Sequence, residues 1–222
     1  MSLSDWTPPP RPERVNLSGR HARLEPLDPD RHGADLLAAA QARPAAFQYL
    51  FETPPADAAA FSSWLQPAAA GRDPMFWAVI DLATGRAEGR QALMRITPEH
   101  GVIEIGSILW GPAMAGSRVA TEAFYLHAAH VFEVLGYRRF EWKCNALNAA
   151  SRRAALRFGF AFEGIFRQHM IIKGESRDTA WFAMLDRDWP ALKAGFQAWL
   201  EPGNFDVEGR QRRRLQDVMA RR

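Results

Sequence analysis

Apolar positions along the chain follow two rhythms, and the change between them falls near residue 111. Residues 14–27 alternate in strand fashion, with Val15, Leu17, Ala22, Leu24 and Leu27 apolar and Gly19 interrupting the run. Residues 30–42 set Leu36, Leu37 and Ala40 on one helical face, with Asp30 near the expected N-cap, and Pro44 stops the pattern. Pro54 and Pro55 open a second, Ala-rich helical stretch at 57–69, and a turn follows at 71–74. Three strands come next, at 76–82, 88–96 and 102–110, joined by short turns around Gly85 and Gly101. Strands linked this way predict an antiparallel meander.

Beyond Gly111 and Pro112 the period becomes helical. Val119, Ala123, Leu126, Ala129 and Val131 supply one apolar face of a helix at 115–135, and Gly136 stands at its expected C-terminal cap. A strand at 138–144, a helix at 148–158 closed by Gly159, a hairpin of strands 160–172 and 178–185, and a helix at 189–200 complete the reading. Strand, helix and strand from 102 to 144 form a βαβ unit, whose two strands should be parallel. The expected fold class is therefore α+β, with a mixed, mostly antiparallel sheet of seven strands and flanking helices. One domain spans 15–200. A Pro-rich lead-in precedes it at 1–14, and an Arg-rich tail follows at 201–222, where Leu215, Val218 and Met219 recur at helical spacing and predict a short amphipathic helix.

Composition narrows the class. An apolar fraction of 47% supports a full core. The single cysteine, Cys144, excludes an internal disulfide framework and a Cys-rich metal site. No run approaches the roughly 18 apolar residues of a membrane span, and the lead-in lacks the apolar centre of a signal peptide. A cytoplasmic protein without membrane partners is expected. The net charge of +3 is too small for a surface built to bind nucleic acid. The one dense basic run comprises Arg210, Arg212, Arg213, Arg214, Arg221 and Arg222. It reads either as the solvated face of a docked helix or as a contact for RNA or a ribosome.

Two segments carry chemistry. Residues 110–123 leave a strand, turn through small residues and enter a helix. The first N–H groups of a helix lack internal acceptors, and its dipole adds partial positive charge, so a diphosphate fits there. An ordinary strand-to-helix turn would look the same. In the second segment Asn148 occupies an N-cap position, with Ser151 in the first turn. Either residue alone is explained by capping.

Together, the two segments resemble the GNAT superfamily of acetyl-CoA-dependent N-acetyltransferases, and in particular its RimJ/RimL-like group, which acetylates the N-termini of ribosomal proteins. The superfamily's phosphate-loop pattern, Arg/Gln-x-x-Gly-x-Gly/Ala, falls on residues 115–120. Here Ala115 replaces the usual Arg or Gln, and Arg118 replaces a Gly. Asn148 and Ser151 match the Asn-x-x-Ser element, Gly159 and Phe160 the Gly-Phe that follows, and Arg177-Asp178 the last hairpin.

The resemblance implies that the parallel pair is splayed at the centre of the sheet and that acetyl-CoA lies in the gap. Its pantetheine would run along Ile108, Leu109 and Trp110, and its diphosphate would meet Gly116, Ser117, Arg118, Val119, Ala120 and Thr121. Asn148 would reach the pantetheine arm, and Ser151 would stand near the thioester. Arg118 either adds a charge-assisted phosphate contact or pairs outward with an acid. Glu104 is the preferred general base. Ser107, three positions along the same strand, is a second polar candidate expected on the opposite face. Glu141 and His169 are weaker choices. Cys144 lacks a His–acid partner, and the resembling family transfers its acyl group directly. Phe47, Tyr49 and Phe51 either wall the acceptor pocket or belong to the core. The implied function is acetyl transfer from acetyl-CoA to a primary amine, on a protein N-terminus or a small molecule, by a monomer or homodimer without a metal. A catalytically inactive CoA-binding or regulatory domain is the alternative.

Overall fold

A computed structural model describes residues 3–219. Met1, Ser2 and residues 220–222 lie outside them, and with these Arg221 and Arg222 of the basic run. The sheet holds eight strands, in the order β1 (Leu17–Ser18), β2 (Ala22–Pro26), β3 (Met75–Asp81), β4 (Ala87–Thr97), β5 (Val102–Trp110), β6 (Arg139–Asn145), β8 (Glu175–Leu185), β7 (Ala161–Ile172). Every neighbouring pair is antiparallel except β5 and β6.

The eighth strand is a correction to the expected seven. Residues 14–27 divide at Gly19 into β1 and β2. The cause lies about a hundred residues away, where the Glu122 carboxylate accepts the N–H groups of Arg20, His21 and Ala22 at 3.0, 2.5 and 2.7 Å. A Cβ on Gly19 would stand 2.4 Å from the Glu122 carboxyl carbon, so a side chain there would push that acid off the three N–H groups it holds.

Among the described residues six α-helices flank the sheet. Side-chain caps start four of them: Asp28 for α1 (Pro29–Gln41), Asp57 for α2 (Ala58–Ala70), Ser117 for α3 (Arg118–Ala129) and Asn148 for α4 (Ala149–Arg157). The α1 cap is thus Asp28 rather than Asp30. Helix α3 runs on as a π-helical turn, His130–Leu135, and ends at Gly136 in the left-handed region. Helix α5 covers Trp189–Leu200.

The tail holds the short helix that its spacing predicts: among the described residues it is α6 (Leu215–Met219), and Arg210, Arg212, Arg213 and Arg214 all precede it rather than lie on it. Leu215 and Val218 are buried in the main core, while Arg210 is spent on Asp206 and Glu208.

Two cores sit on opposite faces of the sheet. On the back face, α3, α4, α5 and α6 close over a large cluster centred on Phe124, whose ring lies 4.3 Å from that of Phe158 at an interplanar angle of 6°. On the front face, α1 and α2 contribute Leu36, Phe61 and Leu65 to a smaller cluster with Phe76, Ala78, Ile80 and Ala92. Phe124→Ala should lower the unfolding free energy by about 3–5 kcal/mol, measured by urea titration, because the stacked rings cannot collapse into the space left.

His127 joins α3 to the sheet. It is fully buried, edge-on to Trp77 at 4.8 Å, and Gln91 Nε2 donates to its Nδ1 at 2.9 Å. Burial, with a smaller push from His130, drives its pKa from 6.5 down to about 3. An unfolded chain therefore takes up a proton below 6.5 that the folded chain refuses until about 3. Stability from this group is complete above that window and drains as pH falls through it, by about 1.4 kcal/mol per pH unit. His127→Gln should flatten this part of a stability-against-pH curve.

Candidate active site

β5 and β6 pair only from Val102↔Arg139 to Ile105↔Trp142, although β5 continues to Trp110 and β6 to Asn145. The reason is on β5. Its pairing with β4 jumps from Ala92↔Gly106 to Arg90↔Leu109, and Ser107 has a φ of 50°. Ser107 and Ile108 thus oppose the single residue Gln91, forming a β-bulge that bends the strand. From Ser107 to Trp110 the edge of β5 has no partner on β6.

A buried arginine holds the bulge in place. Arg90 Nη1 donates to the Ser107 carbonyl at 2.7 Å and lies 3.4 Å from its hydroxyl. The guanidinium is ion-paired with Glu52 and lies 4.2 Å from the Trp64 ring centroid. Paired strand residues share a face, so the pairs Met94↔Glu104 and Ala92↔Gly106 place Glu104 on the front face, with Arg90. The hydroxyl of Ser107 also reaches Arg90. The bulge therefore brings Ser107 and Glu104 to one side, contrary to the alternation expected of a regular strand. It also sends Ile108 and Trp110 into the back core and Leu109 to Phe47 and Ala40 at the front.

Glu104 is 2% exposed. Arg95 Nη1 donates to both of its oxygens at 2.8 and 2.9 Å, and Lys143 Nζ lies 3.0 Å from Oε2. Lys143 also pairs with Glu141 at 2.7 Å and sits 3.9 Å from the Trp181 ring centroid. Burial pushes the Glu104 carboxyl above its usual range, against the pull of Lys143 and Arg95. His169 Nδ1 lies 3.0 Å from Thr179 Oγ1 on the exposed side of the hairpin. Desolvation, then the charges of Arg177, Arg95 and Lys143, lower its pKa and keep it neutral at pH 7.

Residues 112–117 turn from β5 into α3. Gly116 has a φ of 78°, open to glycine at little cost. Ser117 Oγ accepts from Ala120 N at 3.2 Å, and its carbonyl accepts Thr121 N at 3.3 Å. The peptide N–H groups of Gly116, Arg118 and Val119 have no acceptor among the described residues. Thr121 is committed elsewhere: its hydroxyl donates to the Ser117 carbonyl at 3.0 Å and accepts from Arg157 at 3.1 Å. Arg118 lies with its guanidinium 4.7 Å from the Phe205 ring centroid and pairs with no acid among the described residues.

At the start of α4, Asn148 Oδ1 accepts from Ser151 N at 3.0 Å, and Ser151 Oγ accepts from Trp142 Nε1 at 2.9 Å. Cys144 belongs to the back core, and burial pushes its thiol up despite a hydrogen bond with Ser151. A protonated, enclosed thiol is a poor nucleophile.

Two front cavities meet at Phe47. One, of about 480 Å³, lies between the 3₁₀ turn Pro44–Tyr49, the loop after β6 and the β7–β8 turn, and includes Tyr49, Asn145 and Arg177 in its walls. The other, of about 430 Å³, is lined by Phe51, Glu52, Trp64 and Arg90. The aromatic trio therefore walls these cavities, while Phe47 is also core. Among the described residues no three His, Cys, Asp or Glu side chains gather as a metal site. Likewise, no helix there is long and apolar enough to cross a membrane. Arg90, Glu52, Arg95 and Lys143 were not anticipated. The polar pair Arg90-Gln91 inside an apolar strand was the one available signal.

A family model described as an acetyltransferase (GNAT) domain matches residues 21–161. The chain is similar to the crystal structure of a GCN5-related N-acetyltransferase from Brucella melitensis, at 56% identity over 98% of this chain and 100% of that one, with a TM-score of 0.97. A probable GNAT-family acetyltransferase from Chromobacterium violaceum is 38% identical over 86% of this chain and 96% of its own, with a TM-score of 0.80. RimL, a ribosomal L7/L12 α-N-protein acetyltransferase solved with coenzyme A disulfide-bonded to one of its cysteines, shares the fold at 18% identity, over 77% of this chain and 98% of its own, with a TM-score of 0.66. No curated protein matches significantly. With the family model covering more than half of its length and a splayed β5–β6 pair at its centre, the chain belongs to the GNAT acetyltransferase family.

Proposed function

We propose that this protein transfers an acetyl group from acetyl-CoA to a primary amine by direct attack, in the cytoplasm. The observation that carries the reading is the parting of β5 from β6 directly beside a turn whose N–H groups lack protein acceptors. Open peptide edge and helix start together suit a ligand with amides at one end and a diphosphate at the other. The N–H groups of Gly116, Arg118 and Val119 would hold the diphosphate, with Ser117, Ala120 and Thr121 shaping the turn around it. The edge at Ile108, Leu109 and Trp110 would pair with the pantetheine amides, and the Asn148 amide nitrogen would add a donor. Bound there, acetyl-CoA supplies the acyl group as a thioester.

The chain's own residues then orient the amine, take its proton and stabilise developing negative charge. The amine enters through the front cavities, on the side where Arg90 fixes the bulge. A peptide N–H of the bulge, near Ile108, faces the reacting carbonyl and serves as oxyanion donor. Glu104 takes the amine proton through water, with Ser107 beside it, and its raised pKa suits that task. His169 is a second reading, favoured by an imidazole that is neutral and solvent-facing.

The deciding experiment follows thiol release from acetyl-CoA with a panel of N-terminal peptides and small amines. Turnover on at least one amine supports the reading. Acetyl-CoA binding without any turnover would make the protein a CoA-binding or regulatory domain. Glu104→Gln should cut kcat by about a hundredfold or more, with KM for acetyl-CoA unchanged. A full rate in Glu104→Gln and a lost one in His169→Gln would move the role to His169.

Arg118→Ala should weaken acetyl-CoA binding about threefold to tenfold at low salt, by calorimetry, if the guanidinium swings from Phe205 to the diphosphate. An unchanged affinity would leave that task to the backbone. Contact of Arg212, Arg213 and Arg214 with RNA is a separate reading, and equal RNA binding with and without residues 208–222 would remove it.

A further inference from the structure

Arg90 and Arg177 are the two buried arginines among the described residues. Arg90 has Glu52 as its counter-charge. Arg177 has none. It is 7% exposed, its Nε is enclosed without a hydrogen-bond partner, and no carboxylate among the described residues pairs with it. The Phe51 ring centroid lies 5.4 Å from its guanidinium carbon, and the carboxylate that acts on it from further off, Glu104, is already held by Arg95 and Lys143. Enclosing a cation without a partner is costly, and a guanidinium is always charged near neutral pH. Such a group is explained if the missing anion arrives with a ligand.

The surroundings agree. Arg177 lines the cavity of about 480 Å³ on the front face, together with Asn145 and Tyr49. Lys173, on the same hairpin turn, also lines it and is held by the Phe47 carbonyl at 2.8 Å. The acid in that wall, Glu175, is exposed at the turn and makes no ion pair with Arg177. Two cations and an aromatic wall thus face a space large enough for an amino acid or a peptide end. A planar guanidinium matches a carboxylate with two parallel hydrogen bonds.

We propose that Arg177 recognises a carboxylate on the acetyl acceptor. The acceptor is then an amine that carries an acidic group: a free amino acid, or a peptide with an acidic N-terminal residue. This rests on the acceptor entering by the front cavities, as in the function proposed above.

The test uses two matched pairs of amines. L-Alanine against L-alaninamide probes an α-carboxylate. The peptides Glu-Ala-Ala-amide and Gln-Ala-Ala-amide probe a side-chain carboxylate. Thiol release from acetyl-CoA should favour the acid of one pair by about tenfold or more in kcat/KM. Arg177→Met should erase that preference while leaving KM for acetyl-CoA unchanged, and Arg177→Lys should restore part of it. Because the substitution removes an unpaired charge, the Tm of Arg177→Met should hold or rise.

Equal rates on both members of both pairs would overturn the proposal. So would a loss in Arg177→Met that spares the preference, raises KM for acetyl-CoA or comes with a lower Tm. If no amine releases thiol, acetylation itself fails, and Tm shifts with the four amines decide the subsite. A rise in wild-type Tm with an acid but not its amide, absent in Arg177→Met, would keep it. Any other pattern would remove it.

Discussion

A strand edge inside a protein must find partners for its peptide groups, and along β5 the protein itself leaves that requirement unmet on one side. β5 is satisfied by β4 along one side, but on the other it loses β6 after Ile105. The bulge at Ser107 makes the break, and Arg90 makes it permanent by tying the Ser107 carbonyl to a buried ion pair with Glu52. What remains is a peptide edge opening directly onto the helix start at Ser117. The rest of the molecule can be understood as the frame that keeps this gap from closing.

The two faces of the sheet do this in different ways. The back is packed with rings: Phe124, Phe140, Phe158, Phe160 and Phe196 lie within stacking distance of one another, and α6 seals them with Leu215 and Val218. Such a core resists deformation because each ring is held by several others. The front carries charge. Glu104, Lys143 and Glu141 alternate across β5 and β6, and Arg95, Arg90 and Glu52 extend the pattern. Burying so many ions gains little stability compared with an apolar face. Its use lies in fixing polar groups at defined positions around the bulge, with a rigid core behind them.

Much of the fold was legible because its signals are local. β5 and α5 fall where periodicity placed them, and Asn148 caps α4 as its position after a strand implied. The small residues ahead of Val119 do form a turn with free N–H groups. Local signals also misled where a distant group intervened. The division of residues 14–27 depends on Glu122. The face of Ser107 depends on a bulge anchored by Arg90, seventeen residues earlier. Arg118 sits against Phe205 in the tail, and Arg210 and Arg213 stay outside α6, where Asp206 and Asn204 hold them in a loop.

The sequence by itself determined the α+β class, the meander followed by a βαβ unit, and the two segments that begin α3 and α4. Hydrophobic period, capping chemistry and glycine placement act over a few residues, so they can be read without knowing what lies nearby in space. Only the tertiary structure decided which charges share the front face, that Glu104 is held by Arg95 and Lys143, and that the Arg177 Nε is enclosed without a hydrogen-bond partner among the described residues. Those facts depend on strands brought together from distant parts of the chain, where burial and pairing are set by neighbours that no local pattern names.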